Sequence, residues 1–300
     1  MIVGSGGSVL RLLAWQWRHV VLYAVAAVVG WLSIDRWGLH WLEIPTLPMT
    51  VVGAALGIFV SFRTNAGYDR WWEGRKLWGQ LVNTSRMFTS QVLLYVGDAR
   101  PEAARELVHR HVAYVHLLRL VLRGEDPWKD ASLMRALPDP VESLKDQSSP
   151  THALLDLQLR RIDALTRDGV ITRYAEQSLD GSIATLLDVQ GGCERIKKTP
   201  LPRAYGFIAE RLVALYGILL PFSLVHELGA LAMPVSVLVC LAFILISEVG
   251  RVLEDPFTLF FNGLPLGALS HTIEHNLRQR LGETGDELPE IPRPIRGILM

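Results

Sequence analysis

The segment His271-Thr-Ile-Glu-His275 has the residue types and spacing of an H-x-x-E-H zinc-peptidase helix: two imidazoles four residues apart share one helical face, with Glu274 between them. Such a site also needs a distant third ligand and a cleft, and only twenty-five residues follow His275. An ordinary solvated helix face is therefore the plainer reading of His271, Glu274 and His275, and zinc hydrolysis the lesser alternative. His109, His111 and His116 form a second histidine group, but His109 and His111 are two apart and point to different faces of a helix. Cys193 and Cys240, the only cysteines, lie in a polar segment and an apolar run, so a disulfide framework is not expected. No glycine-rich nucleotide loop is present, which argues against active pumping. The chain reads as a non-enzyme without metal or cofactor.

A different pattern carries no reactive atom. In the uncharged run from Pro48 to Phe62, the small residues Gly53, Gly57 and Ser61 repeat every four positions, and Ala54, Ile58 and Phe62 repeat beside them. A small stripe lets helices approach closely, and a bulky apolar stripe needs burial or a special use. The run passes without a proline break into Arg63, Asp69, Arg70, Glu73, Arg75 and Lys76, set among Tyr68, Trp71, Trp72 and Trp78. That is a helix leaving a bilayer through the interfacial aromatic zone into water.

The elements that would hold these residues follow from where the apolar residues fall. With 30 basic and 30 acidic side chains in 300 residues, nothing points to nucleic acid or an acidic partner. Half the residues are hydrophobic, and they concentrate in blocks at Val20–Ile34, Pro48–Phe62, about Tyr205–Val225 and Leu228–Ser247, which predicts four membrane spans. The last has twenty residues without a charge, enough to cross about 30 Å of hydrocarbon. The first two are fifteen residues each and must extend into their flanks or sit where protein, rather than lipid, surrounds them. Arg11 and Arg18 precede the first span with no acid before them, whereas the loop after it has Asp35 and Glu43 against Arg36, so both termini are expected in the cytoplasm. No cleavable signal is evident in the first apolar block.

The domains expected are 1–62 with the first two spans, a helical cytoplasmic region at 63–204, two further spans at 205–247, and a cytoplasmic helix and tail at 248–300. Within the cytoplasmic region, helices are predicted from Pro101 to Leu122, from Thr151 to Arg167 and from Thr172 to about Lys197, with breaks at Arg123–Pro127 and Pro138–Pro150. Three prolines in six residues make Glu287–Pro294 extended.

Several separated blocks resemble the bestrophin family, its bacterial branch in particular. They are Ser8-Val-Leu-Arg-Leu-Leu, the stretch Phe62–Trp78, Gly192-Cys-Glu-Arg-Ile-Lys-Lys-Thr-Pro-Leu-Pro202, Glu254-Asp-Pro-Phe257 and Asn262-Gly-Leu-Pro-Leu-Gly-Ala-Leu. The resemblance implies an all-α, multi-span protein of a bacterial inner membrane, assembled as a homopentamer around an axial pore that passes ions through the lipid bilayer. It places a hydrophobic neck at Ala54, Ile58 and Phe62, where Ala54 would constrict weakly, and a cytoplasmic constriction at Ile183, with Leu179 as rival. An apolar neck holds water poorly and so gates by wetting. The carboxylate cluster that binds calcium in animal bestrophins is missing after Phe257, where Glu254 and Asp255 are too few and Asp255 reads as a helix cap. Calcium gating is therefore not expected. Asp35 and Glu43 favour monovalent cations over anions such as chloride.

Overall fold

The computed structural model describes residues 16–137, 142–260, 263–285 and 288–292, and among these it is helical without a strand. Eight principal helices are used below: α1 Trp17–Trp31, α2 Thr46–Val92, α3 Pro101–Arg123, α4 Pro150–Arg167, α5 Arg173–Lys198, α6 Arg203–Leu228, α7 Ala232–Leu253 and α8 Leu266–Arg280. The chain divides into two compact units, the described residues of Trp72–Thr199 with those from Pro256 onward, and the described residues up to Trp71 with Pro200–Asp255. Helix α2 contributes to both.

In the second of these units α1, α6 and α7 pack on one another. The N-terminal part of α2 joins their apolar core, in which Tyr23, Leu56, Val60, Val213, Tyr216 and Ile244 are buried. Three helical stretches are long and apolar enough to cross a membrane: Trp17–Arg36, His40–Gly97 and Gly206–Leu253. The third is a pair, because Gly229 (φ 53°) and the short turn Gly229–Leu231 separate α6 from α7. The four apolar blocks thus become four helices. The two short blocks lengthen as their flanks required: a π-turn at Leu32–Arg36 continues α1, and α2 runs for 47 residues. Pro48 does not interrupt α2, since it lies in the first turn, where amide hydrogens have no helical partner to lose.

In the other unit α3 is buried along most of its length and packs against α4, α8 and the short helix Ala131–Ala136. Its boundaries have local causes. Pro101 occupies the first turn, and Gly124 at φ 69° ends it in a left-handed conformation. Asp130 caps the short helix by accepting from Ser132 and Leu133 backbone N–H at 3.0 and 2.9 Å. Thr172 caps α5 through a hydrogen bond from Ala175 N–H at 3.3 Å. The predicted loop at Pro138–Pro150 contains the turn of helix Glu142–Lys145, and its residues 138–141 lie outside the described ones. Of the tail expected to be extended, residues 288–292 carry no helix, and Glu287, Arg293 and Pro294 are outside the described residues.

Candidate pore-lining face and a buried polar network

Two stripes run along α2. Met49, Gly53, Leu56, Val60, Arg63 and Gly67 are buried, at alternating spacings of four and three that keep one face toward neighbouring helices. The other stripe is exposed: Ala54 is exposed, Ile58 is 60% exposed and Phe62 is 66% exposed. With Gly57, Ser61 and Asn65 these three line a shallow groove of about 470 Å³ that contains no charged side chain among the described residues.

The small-residue stripe differs from the expected one. A Cβ on Gly53 would meet the Tyr216 hydroxyl at 2.5 Å and one on Gly67 would meet the Gly250 carbonyl oxygen at 2.7 Å, whereas Gly57 has no neighbour nearer than 3.6 Å and Ser61 is exposed. Close approach thus follows Gly53 and Gly67, fourteen residues apart. Four-residue steps drift around a 3.6-residue helix, and a pair of four-plus-three repeats stays on one side.

Immediately after Phe62, the sequence placed Arg63 in water. In the structure it is 4% exposed, donating to Glu254 Oε1 at 3.0 Å and to Ser247 Oγ at 3.3 Å, with Glu210 at 3.8 Å. Arg70 donates to the Glu254 backbone oxygen at 3.0 Å. These bonds tie α2 to the end of α7. Burying the Arg63 guanidinium is tolerable because carboxylate and hydroxyl acceptors replace its water. The only signal for this in sequence was an arginine at the four-three spacing of the buried stripe. No helix begins after Asp255, where a turn follows, so that residue is not a helix cap.

Ile183 and Leu179 do not fit a constriction. They are 3% and 0% exposed, facing the interior of their own unit, so neither offers its side chain to a pathway outside the chain. The exposed face of α5 carries Asp180, Ala184, Leu187 and Asp188.

The H-x-x-E-H segment is not a solvated face. Glu274 is 1% exposed and accepts from His116 Nε2 at 2.8 Å and from Arg278 at 3.0 Å. Arg278 also donates to Glu283 at 2.5 Å, and His109 reaches Glu283 at 2.9 Å. His271 contacts the Gly267 carbonyl at 2.8 Å and Ser132 Oγ at 3.3 Å, and His275 donates to the Pro289 carbonyl at 3.1 Å. The two imidazoles of the motif are thus bound to different parts of the fold, and among the described residues no metal-ligand cluster forms. Burial alone would raise the Glu274 and Glu283 carboxyls. The hydrogen bonds from His116 and Arg278 to Glu274, and from Arg278 and His109 to Glu283, outweigh it and hold both below the usual glutamate range. Burial lowers His116 despite its bond to Glu274, and lowers His111, packed between Phe88 and Tyr114, to about 3.

An all-helical chain with an apolar helix bundle, and an uncharged exposed stripe on one of its longest helices, defines a multi-span membrane protein. The family model described as bacterial/fungal bestrophin protein matches residues 1–279, and the chain belongs to that family. It is 38% identical over 272 residues to a voltage-dependent anion channel-forming protein of Ralstonia nicotianae, covering 89% of this chain and 86% of that one. It is 32% identical over 290 residues to the voltage-dependent anion channel-forming protein YneE of Escherichia coli, with coverages of 96% and 91%. A crystal structure of a bacterial bestrophin homologue from Klebsiella pneumoniae superimposes with a TM-score of 0.84 at 33% identity, over 89% of this chain and 98% of that one.

Proposed function

We propose that this chain is the subunit of a passive ion channel in a bacterial inner membrane, in which five copies set the Ala54–Ile58–Phe62 stripe around a common axis as a hydrophobic neck. The observation that carries this reading is the two-sidedness of α2. Its Gly53–Gly67 face is packed within the chain, while Ile58 and Phe62 stand 60% and 66% exposed. Burying such side chains between copies, or using them as a wetting gate, resolves an exposure that water alone disfavours. Arg18 in the first turn of α1 supports a cytoplasmic N-terminus, and with four spans the C-terminus lies on the same side. The expected division into spans at 1–62 and 205–247, flanking cytoplasmic parts, belongs to the same reading.

The names of the curated relatives support anions as the permeant class. Cations are the second reading, favoured by the exposed Asp35. Its other support is weaker than the sequence suggested, because Glu43 has the His40 ring nitrogen at 2.6 Å and that of His226 at 3.7 Å. Reversal potentials of the reconstituted protein across a potassium chloride gradient test both. A potential near the chloride equilibrium supports anions, one near the potassium equilibrium supports cations, and absence of current rejects the channel. Native mass spectrometry in mild detergent tests assembly, with pentamers expected and monomers or dimers as the outcome that rejects the axial pore.

A further inference from the structure

A pocket of about 320 Å³ lies between the C-terminal half of α2 and the end of α8, lined by Arg86, Thr89, Ser90, Asn276, Gln279 and Arg280 over a floor that includes Leu277. Among the described residues it has two guanidinium groups and no carboxylate. Several arginines of this unit are answered, Arg110 by Glu106, Arg119 by Asp130, Arg195 by Glu73 and Arg278 by Glu274. Here neither Arg86 nor Arg280 has a hydrogen-bond or ion-pair partner among the described residues. The same holds for the side chains of Ser90, Asn276 and Gln279.

Thr89 is the informative member. It is 1% exposed, and its Oγ1 has no hydrogen-bond partner among the described residues. Threonines inside helices usually bond back to the carbonyl four residues earlier, as Thr64, Thr166 and Thr272 do at 3.0, 3.2 and 2.7 Å. A buried hydroxyl left without a partner is costly, and because Oγ1 is closed to solvent an acceptor in the pocket reaches it only when the side chain turns toward it. Arg280 lies in the last turn of α8 and also complements that helix's dipole, whereas Arg86 in the interior of α2 has no such second use.

We propose that this pocket binds a small oxyanion of the phosphate type, with Arg86 and Arg280 as charge partners and Thr89, Ser90, Asn276 and Gln279 as neutral donors. Guanidinium forks match the paired oxygens of a phosphate, and hydroxyl and amide donors complete a tetrahedral acceptor. Chloride presents one spherical acceptor and gains less from that arrangement. The site is independent of the proposed pore.

The test uses the full-length protein in detergent with inorganic phosphate as probe, by calorimetric titration and by thermal midpoint, against chloride at matched ionic strength. Phosphate is expected to bind and to raise the midpoint beyond chloride. Arg86→Gln with Arg280→Gln, both at exposed positions, should leave the midpoint in chloride unchanged and weaken phosphate at least tenfold. Thr89→Val should weaken phosphate by a smaller factor. No phosphate-specific effect in the parent, or an equal effect in the double variant, overturns the proposal, and each reads independently of whether the protein conducts.

Discussion

His116 Nε2 lies 2.8 Å from Glu274 Oε2, with both side chains buried and 158 residues between them in sequence. The pair joins α3 to α8 and turns a motif with metal-site spacing into a structural connection. Low dielectric strengthens such a bond and equally raises the cost of leaving one partner behind.

Replacing Glu274 with Ala strands His116 and one contact of Arg278 in the interior. A loss of about 3 to 5 kcal/mol is expected, as for breaking a buried charged pair, whereas Glu274→Gln keeps the shape and should cost less. Denaturant unfolding followed by circular dichroism measures both. A neutral outcome for Glu274→Ala would contradict the burial of this network.

Acid should weaken the fold in two stages. His111 has its pKa lowered from 6.5 to about 3 by burial, so between those values the unfolded chain binds a proton that the native chain refuses. Stability therefore falls as pH drops through that window, by at most about 1.4 kcal/mol per unit. Glu274 and Glu283, held below the usual glutamate value, contribute stability that is present above that value and is lost as pH falls through their native pKa. The measurement is unfolding free energy against pH for the parent and for His111→Leu. The variant should show the shallower slope between pH 6 and about 4.

At the proposed neck, Ile58→Ala and Phe62→Ala remove bulk from side chains that the single chain does not bury. Stability of the subunit should change by no more than about 0.5 kcal/mol. Single-channel current should rise, because a wider apolar ring wets more easily. Unchanged conductance and open probability in well-assembled variants would remove these residues from the pathway.

Gly57 and Gly67 are both helical glycines with opposite expected responses. At Gly67 a new Cβ meets a backbone oxygen at 2.7 Å, and the backbone has to move. Gly67→Ala should therefore destabilise by about 1 to 3 kcal/mol, as overpacking does. Gly57 has room, with its nearest neighbour at 3.6 Å, so Gly57→Ala should gain up to about 1 kcal/mol from helix propensity. Thermal midpoints of the two variants compare them directly. Equal effects would mean that α2 is rotated from the orientation described.

Much of the fold was legible in the order of residues because helix formation is local. Apolar blocks marked α1, α2, α6 and α7, and Pro101, Gly124 and Thr172 marked helix ends, each by chemistry confined to a few neighbouring positions. The separated motif blocks carried the family for the same reason. Burial was a different matter. The four-residue periodicity at Gly53, Gly57 and Ser61 was real in the sequence, but the face used for close packing depended on where Tyr216 and Gly250 stand. Ile183 suited a constriction by residue type, and only the packing of its unit turned it inward. Arg63 and Glu274, charged residues that the sequence assigned to water, are buried because Glu254 lies 191 positions from the first and His116 lies 158 from the second. A side chain's own chemistry says what partner it needs to leave water, and only the folded chain brings that partner within hydrogen-bonding distance.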